Sequence, residues 1–195
     1  RAEEENYRDG NYGAGCGATV GKFAGMDYCM KSGIGSCALQ VGELQVGAVV
    51  AVNALGDIYD WRSGQKLAGL LAEDRRSFRR TEDLMYADTR TVENKFTGNT
   101  TIGVVITNAD FQKASLCKIA GMAQDGYARS IRPVHTTADG DSIYAVSVRD
   151  AEGKKVSADQ DLVGTLAAEV MSEAITAAVK SARSAYGLPA WEDIS

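Results

Sequence analysis

The chain has 195 residues, 45% of them hydrophobic and 24% charged, which is typical of one soluble globular domain covering residues 1–195. Its 21 basic and 26 acidic residues give a formal net charge of −5, and this disfavours a nucleic-acid-binding surface. The longest apolar run, residues 46–55, is too short to cross a bilayer, so no membrane partner is expected.

Cysteine and histidine content restricts metal and thiol chemistry. Cys16, Cys29, Cys37 and Cys117 form no Cys-x-x-Cys pair, and His135 is the single histidine. Because structural zinc draws four closely spaced ligands, neither a metal nor a cofactor is expected. Widely spaced cysteines are typical of free thiols in a reducing compartment, which favours a cytoplasmic location.

A glycine-dense segment, residues 13–22, follows an acidic lead-in. It does not match the phosphate-binding P-loop, because only three residues separate Gly17 from Gly21 and Phe23 follows Lys22. A dinucleotide fingerprint fits its glycines, but no predicted strand precedes it. The segment predicts a close backbone approach with Lys22 held beside it. A surface lysine and a phosphate-binding loop remain the alternatives.

Two strands, residues 31–41 and 44–55, are predicted next, joined by a turn at residues 42–43. The small residues of the first strand suit close packing. The second is almost continuous in valine and alanine, which predicts a strand covered on both faces. Asn53 lies at the end of this run. A buried amide there can form part of an oxyanion hole, and an Asn that starts a turn is the alternative.

Residues 73–98 are charged and predict a long exposed connection with a short helix around residues 82–87. Residues 102–107 are β-branched and apolar, which predicts a buried strand. The turn before that strand is either a plain loop-to-strand junction or a processing site after a flexible stretch. Cleavage between Asn99 and Thr100 would give Thr100 both a hydroxyl nucleophile and a free α-amine as its base.

Asp110 is the predicted N-cap of a helix that ends before Pro133, and Gly121 and Gly126 weaken it unless something packs against them. A strand over residues 142–148 and a final amphipathic helix over residues 158–186 follow. The predicted buried face of that helix consists of Leu162, Leu166, Val170, Ile175, Val179, Ala182 and Tyr186. Strands with two long helices and no βαβ rhythm predict an α/β fold of sheets sandwiched by helices.

Asp139 and Asp141 lie on either side of Gly140, just before the predicted strand. Turn chemistry explains them adequately. Cation coordination is less well supported, because the glycine and distal glutamate of a calcium loop are missing. The pair can also hold ammonium groups, such as Lys22 or a freed Thr100 amine.

Six segments carry a resemblance that covers nearly the whole chain from Gly13 onward. They read GAGCGATVGK (13–22), KSGIGS (31–36), VNALGD (52–57), NTTIGVV (99–105), AQDGYAR (123–129) and PVHTTADGD (133–141). In this order they resemble the L-aminopeptidase/D-amidase-esterase (DmpA-type) family. Because residue 100 is a threonine, the sequence most resembles the nylon-oligomer (6-aminohexanoate oligomer) hydrolase branch of this family.

The resemblance implies an αββα sandwich of the N-terminal-nucleophile type that cuts itself between Asn99 and Thr100. Residues 1–99 would then be the C-terminal part of an α-subunit, and residues 100–195 the β-subunit. Family members carry a substantial portion before the residue that matches Gly13. That upstream portion of the same precursor is therefore an implied partner, as is a homo-oligomer, with a tetramer possible.

The resemblance also implies a catalytic set. Thr100 is the nucleophile, with Thr101 as its rival, and Lys22 lies beside it. Asn53 contributes to the oxyanion site, while Asp139 and Asp141 orient the amine and hydroxyl groups. The alternative role of His135 as a base is less favoured than a structural one.

The leading hypothesis is a self-processing amidohydrolase or aminopeptidase that forms an acyl-enzyme on Thr100. Small peptides, amino acid amides and ω-amino acid oligomers are the expected substrates. The alternative is an uncleaved, non-catalytic family member that acts as a binding or assembly protein.

Overall fold

The computed structural model describes residues 6–87, 98–149 and 153–194. In that part of the chain the strands are β1 (Thr19–Val20), β2 (Met30–Lys31), β3 (Ile34–Val41), β4 (Leu44–Ala51), β5 (Asp57–Tyr59), β6 (Lys66–Ala68), β7 (Ile102–Thr107), β8 (Ile131–Arg132) and β9 (Ser142–Ser147). The α-helices are α1 (Thr81–Ala87), α2 (Lys113–Ser130) and α3 (Gln160–Lys180). The mixture confirms the predicted α/β class.

The central sheet has the strand order β3-β4-β7-β9. The first three strands are antiparallel, and β9 runs parallel to β7. A tight turn joins β3 to β4, with Gly42 at φ +59°, a conformation that glycine adopts without strain. The predicted hairpin and the predicted strand over residues 102–107 are both present, but that strand is buried at alternate residues only, and Ile102 is exposed.

Helices α2 and α3 cover one face of this sheet and bury the apolar core. Gly35 of β3 lies so close to α3 that a Cβ at this position would be 2.1 Å from the carbonyl oxygen of Ala174. The small residues of β3 therefore allow the close packing that the sequence predicts. At its N-terminus, α3 is capped by Asp159, which accepts hydrogen bonds from the backbone N–H groups of Asp161 and Leu162 at 2.9 and 3.0 Å.

The final helix is shorter than predicted, and part of its predicted buried face was wrong. Leu162 is 43% exposed and Tyr186 is 81% exposed, beyond the end of α3. Val170, Ile175 and Val179 are fully buried, as predicted. By length and composition alone α3 could cross a membrane, with a mean hydropathy of 1.4, but 61% of that window is buried inside the fold, as in a core helix.

The other face of the central sheet is open among the described residues, so the predicted cover of the valine-rich strand on both faces is present here on one face only. Along β4, Val46, Ala48 and Val50 are buried, whereas the intervening side chains are partly or fully exposed. On the same open face, Ile102 and Tyr144 are 48% and 62% exposed. The smaller antiparallel sheet β6-β5-β8 makes its main contacts with α2 and α3.

The predicted N-cap of α2 was also wrong. The helix begins at Lys113 with Gln112 as its N-cap. Asp110 instead continues the extended chain: its backbone N–H donates to the Val156 carbonyl at 2.8 Å, and its carboxylate pairs with Lys155 at 2.9 Å. The short predicted helix is confirmed as α1. The part of the predicted exposed connection nearest the processing site, residues 88–97, lies outside the described residues.

The two glycines within α2 form a matched pair for a stability test. A Cβ on Gly126 would lie 2.7 Å from the Ala168 carbonyl oxygen, whereas a Cβ on Gly121 would meet nothing within 4 Å. We expect Gly126→Ala to lower the free energy of unfolding by about 1–3 kcal/mol through overpacking against α3. Gly121→Ala should raise it by about 0.5–1 kcal/mol through helix propensity. Urea unfolding of both variants measures this; equal effects would contradict the packing of α2 on α3.

Candidate active site

Strand pairing brings the predicted site residues together. Ala51 at the end of β4 pairs with Ile102 at the start of β7, so the segments beyond these strand ends continue side by side. As a result, the Thr100 backbone N–H donates to the Asn53 carbonyl at 2.9 Å. Lys22, Asn53, Asn99 and Thr100 thus meet at one end of the central sheet.

Lys22 reaches this point because the glycine-dense segment lies beside the chain that follows Asn53. The backbone N–H groups of Gly21 and Lys22 donate to the carbonyls of Gly56 and Leu55, both at 3.0 Å. A Cβ on Gly21 would lie 2.1 Å from the backbone of Gly69, so this approach requires glycine. The predicted close backbone approach is confirmed.

The Lys22 ammonium is buried against Asn53. Its side chain is 1% exposed, which excludes the alternative of a surface lysine. Nζ donates to the side-chain oxygen of Asn53 at 2.8 Å and to its backbone carbonyl at 3.1 Å. Burial lowers the pKa of the Lys22 amine from 10.5 to about 8, and the neighbouring groups Cys29 and Asp139 act in the opposite direction.

All polar atoms of the Asn53 side chain are engaged. Besides Lys22, the oxygen Oδ1 accepts from the backbone N–H of Thr19 at 3.1 Å and from its hydroxyl at 3.3 Å. The nitrogen Nδ2 donates to the Gly98 carbonyl at 2.6 Å. Asn53 is therefore a partly buried bridge between the glycine-dense segment and the Asn99–Thr100 bond, and sequence reasoning missed its contact with Thr19.

The Asn99–Thr100 peptide bond is held tightly from both sides. Asn99 is 1% exposed and forms a parallel bridge with Asp139, in which the Gly140 N–H donates to the Asn99 carbonyl at 2.9 Å. The Thr100 hydroxyl donates to the same carbonyl at 2.5 Å. A Cβ on Gly140 would lie 2.8 Å from the Thr100 hydroxyl oxygen, so glycine leaves room for that hydroxyl.

Asp139 connects this segment to the chain that follows Asn53. One carboxylate oxygen accepts from the Leu55 backbone N–H at 3.2 Å, and the other accepts from the Thr136 hydroxyl at 2.6 Å. Both oxygens are thus used to fix loops around the Asn99–Thr100 bond. Among the residues that the structure describes, no group of three or more His, Cys, Asp and Glu side chains is placed to hold a metal ion.

Asp141 supports the residue after the predicted nucleophile. One oxygen accepts from the Thr101 backbone N–H at 2.8 Å, and the other is 2.9 Å from Nδ1 of His135. Burial raises the pKa of the Asp141 carboxyl, and the Thr101 N–H and His135 partly oppose this rise. His135 therefore bonds a carboxylate, and the structural role predicted for it stays a prediction.

Thr101 does not share the setting of Thr100. Its side chain is fully buried, and its carbonyl accepts from the Tyr127 hydroxyl at 3.3 Å. A hydroxyl enclosed in this way cannot approach an external substrate. The geometry favours Thr100 over its rival.

The lowered pKa of Lys22 predicts a pH-dependent stability. Between about pH 8 and 10.5 the unfolded chain retains a proton on this amine that the folded chain releases, so the Lys22 contribution to the free energy of unfolding rises with pH in that window. We expect the unfolding free energy of the wild type minus that of Lys22→Met to increase across the window and to stay flat below it. Urea titrations at a series of pH values measure the difference, and a flat curve throughout would contradict the shift.

This chain is similar in sequence to known proteins. The model of Peptidase family S58 matches residues 1–190. An uncharacterized aminopeptidase of Mycobacterium leprae is 34% identical over 93% of this chain and 51% of its own length. A 6-aminohexanoate-oligomer endohydrolase of Paenarthrobacter ureafaciens is 28% identical over 89% of this chain and 51% of its own. The chain thus spans about half the length of these relatives.

Solved structures show the same fold. The L-aminopeptidase D-Ala-esterase/amidase from Ochrobactrum anthropi, described as a variant of the Ntn hydrolase fold, superposes with a TM-score of 0.58 at 18% identity, over 90% of this chain and 46% of that one. The PH0078 protein from Pyrococcus horikoshii superposes with a TM-score of 0.56 at 22% identity, over 95% and 48%. The family match and the shared fold lead to one conclusion: the chain belongs to Peptidase family S58.

Proposed function

We propose that this protein is a self-processing amidohydrolase in which cleavage between Asn99 and Thr100 makes Thr100 an N-terminal nucleophile. The observation that carries the proposal is the placement of the Thr100 hydroxyl, 2.5 Å from the carbonyl oxygen of the preceding residue, at a bond fixed by Asn53 and Gly140. On this proposal residues 1–99 and 100–195 become separate subunits.

The proposed cut begins with attack of the Thr100 hydroxyl oxygen on the carbonyl carbon of Asn99. As the new C–O bond forms and the C–N bond breaks, the hydroxyl proton passes to the departing amine, which leaves an ester. Water then hydrolyses the ester to an Asn99 carboxylate and restores the Thr100 hydroxyl. The Gly140 N–H, 2.9 Å from the Asn99 oxygen, is placed to stabilise the negative charge that develops there.

In the cut protein, the Thr100 α-amine takes over as general base. A terminal amine titrates near a pKa of ~8, so much of it is neutral at physiological pH and can accept the hydroxyl proton. The nearby Lys22 charge lowers that pKa further. Thr100 then attacks the substrate amide, the amine leaves with the proton, and water releases the acyl group.

Asn53 is the proposed oxyanion donor for this second reaction. Its Nδ2 group donates to Gly98 in the uncut chain and becomes free for substrate once the end of the first subunit leaves. A donor of this kind contributes roughly 3 kcal/mol to transition-state stabilisation. The names of the relatives support amides of amino acids, short peptides and ω-amino acid oligomers as substrates.

We further propose that the upstream portion of the precursor covers the open face of the central sheet and that the protein forms a homo-oligomer. Two observations support the first part: apolar side chains such as Ile102 and Tyr144 are exposed there, and the relatives are about twice as long as this chain. Burying such a face is favourable at roughly 25 cal/mol per Å² of apolar surface.

Substitution of Thr100 tests self-processing. The wild type should give two fragments that split between residues 99 and 100, Thr100→Ser should also be cut, and Thr100→Ala should stay whole, because it lacks the attacking oxygen. Thr101→Val, which removes the neighbouring buried hydroxyl, is the matched control and should still be cut. Intact mass spectrometry identifies the products.

Two outcomes would overturn the mechanism: a Thr100→Ala chain that is still cleaved after Asn99, or an uncleaved wild type that hydrolyses amides. An uncleaved and inactive wild type would favour the binding or assembly role.

Removal of the Asn53 amide tests the oxyanion site. For cut protein assayed on 4-nitroanilides of L-alanine, D-alanine, β-alanine and 6-aminohexanoate, Asn53→Ala should lower kcat by about 10²- to 10³-fold. Asn108→Ala is the matched control: this buried Asn lies at the opposite end of β7, where its side chain bonds the backbone of Gln45 and Glu43. Its kcat should stay within about twofold of the wild type. Equal losses in both variants would argue against an oxyanion role.

A further inference from the structure

A second buried lysine lies behind the site and has no role in the mechanism above. Lys31 is fully buried, and its Nζ donates to the carbonyl oxygens of Gly15 at 2.8 Å, Ala18 at 3.0 Å and Ser32 at 2.5 Å. Three acceptors need three N–H donors, and a neutral amine has only two. The geometry is therefore that of an ammonium ion, although burial lowers the pKa of this amine.

One of these contacts leads directly to Asn53. Lys31 donates to the Ala18 carbonyl, which belongs to the same peptide group as the Thr19 N–H. That N–H donates to Asn53 Oδ1 at 3.1 Å. Pairing of β1 with β2 places Thr19 opposite Lys31 and fixes the arrangement. Because a peptide group is conjugated, a positive charge at its oxygen makes its N–H a stronger donor.

We propose that Lys31 is a positioning residue that polarises the Asn53 amide through the Ala18–Thr19 peptide group and so strengthens Nδ2 as a hydrogen-bond donor. Lys22 acts on the same Oδ1 atom from the other side, at 2.8 Å. Together the two ammonium groups draw electron density toward Oδ1 and leave Nδ2 more positive. This inference rests on the proposed function, in which Nδ2 stabilises the oxyanion.

The kinetic test is a double-mutant cycle between Lys31 and Asn53. Lys31→Gln removes the charge but keeps two N–H donors, whereas Lys31→Met removes the charge and all of the N–H donors. Lys66→Met is the matched control, because Lys66 is also largely buried, and it pairs with Asp57 at 2.9 Å and donates to the Leu70 carbonyl at 3.3 Å rather than to Asn53 or the Ala18–Thr19 peptide. The rates are kcat and KM per cut chain, and thermal unfolding verifies that each variant is folded.

We expect Lys31→Gln to lower kcat by about fivefold to tenfold with little change in KM, since a weaker Asn53 donor affects the transition state most. In the Asn53→Ala background the same substitution should change kcat by less than about twofold. Lys66→Met should have the same effect in both backgrounds. A Lys31 effect of equal size in both backgrounds, or an unchanged kcat in folded Lys31→Gln, would overturn the proposal. So would failure of both Lys31 variants to fold.

A spectroscopic measurement separates this inference from the proposed hydrolysis. In ¹H–¹⁵N spectra of the Thr100→Ala chain, Lys31→Gln should move the Thr19 backbone amide proton and the Asn53 side-chain amide protons upfield, and Lys66→Met should move neither. These shifts do not depend on cleavage or turnover. They therefore test the effect of Lys31 on the Asn53 amide even where the Asn53→Ala chain stays uncut and gives no kinetics. Unmoved resonances overturn the role of Lys31 even in an active enzyme.

Discussion

Hydrogen bonding by Asn53 holds the candidate site together. Its backbone carbonyl accepts from the Thr100 N–H and the Lys22 ammonium, and its side chain joins Thr19 and Lys22 to Gly98. A buried ammonium is costly unless polar groups replace its hydration. Asn53 provides two of those groups for Lys22, and it does so from the position that also fixes the Asn99–Thr100 bond. The Lys22 charge and the bond that we propose is cut are thus both placed by Asn53.

The elements that the sequence predicts well are those determined by local pattern. The hairpin at Gly42 and the strand over residues 102–107 follow from turn chemistry and β-branched side chains, and both are present. Lys22, Asn53, Asn99 and Thr100 were found through motifs rather than through periodicity. The structure adds their proximity, which depends on strand pairing between distant parts of the chain.

The errors have tertiary causes. Alternate side chains of β4 are buried or exposed because helices cover a single face of the sheet in this chain, and the continuous valine and alanine run fits the proposal that the precursor's upstream portion covers the other face. Asp110 has the right chemistry for an N-cap, yet its pairing with Val156 extends the strand-like path by two residues before the helix begins. Lys31 sits inside a predicted strand with nothing in its neighbours to reveal three carbonyl partners. Long-range contacts of this kind leave no periodic signal.

Asp139 and Asp141 were expected to hold ammonium groups, and the structure shows them binding backbone N–H groups of Leu55 and Thr101. Asp139 also acts on Lys22 electrostatically, since it opposes the fall in the pKa of that amine. Orientation of the Thr100 amine and hydroxyl by the carboxylate pair stays a prediction.

On the proposed cleavage, the parallel bridge between Asn99 and Asp139 would also affect the timing of maturation. Breaking the Asn99–Thr100 bond would leave intact the contacts of Asn99 with Gly140 and Ala138, so the new carboxylate terminus would stay where we propose that the substrate acyl group binds. The newly cut enzyme would therefore be occupied by its own first product. Onset of turnover would follow the departure of that chain end, with a delay set by the strength of a few hydrogen bonds.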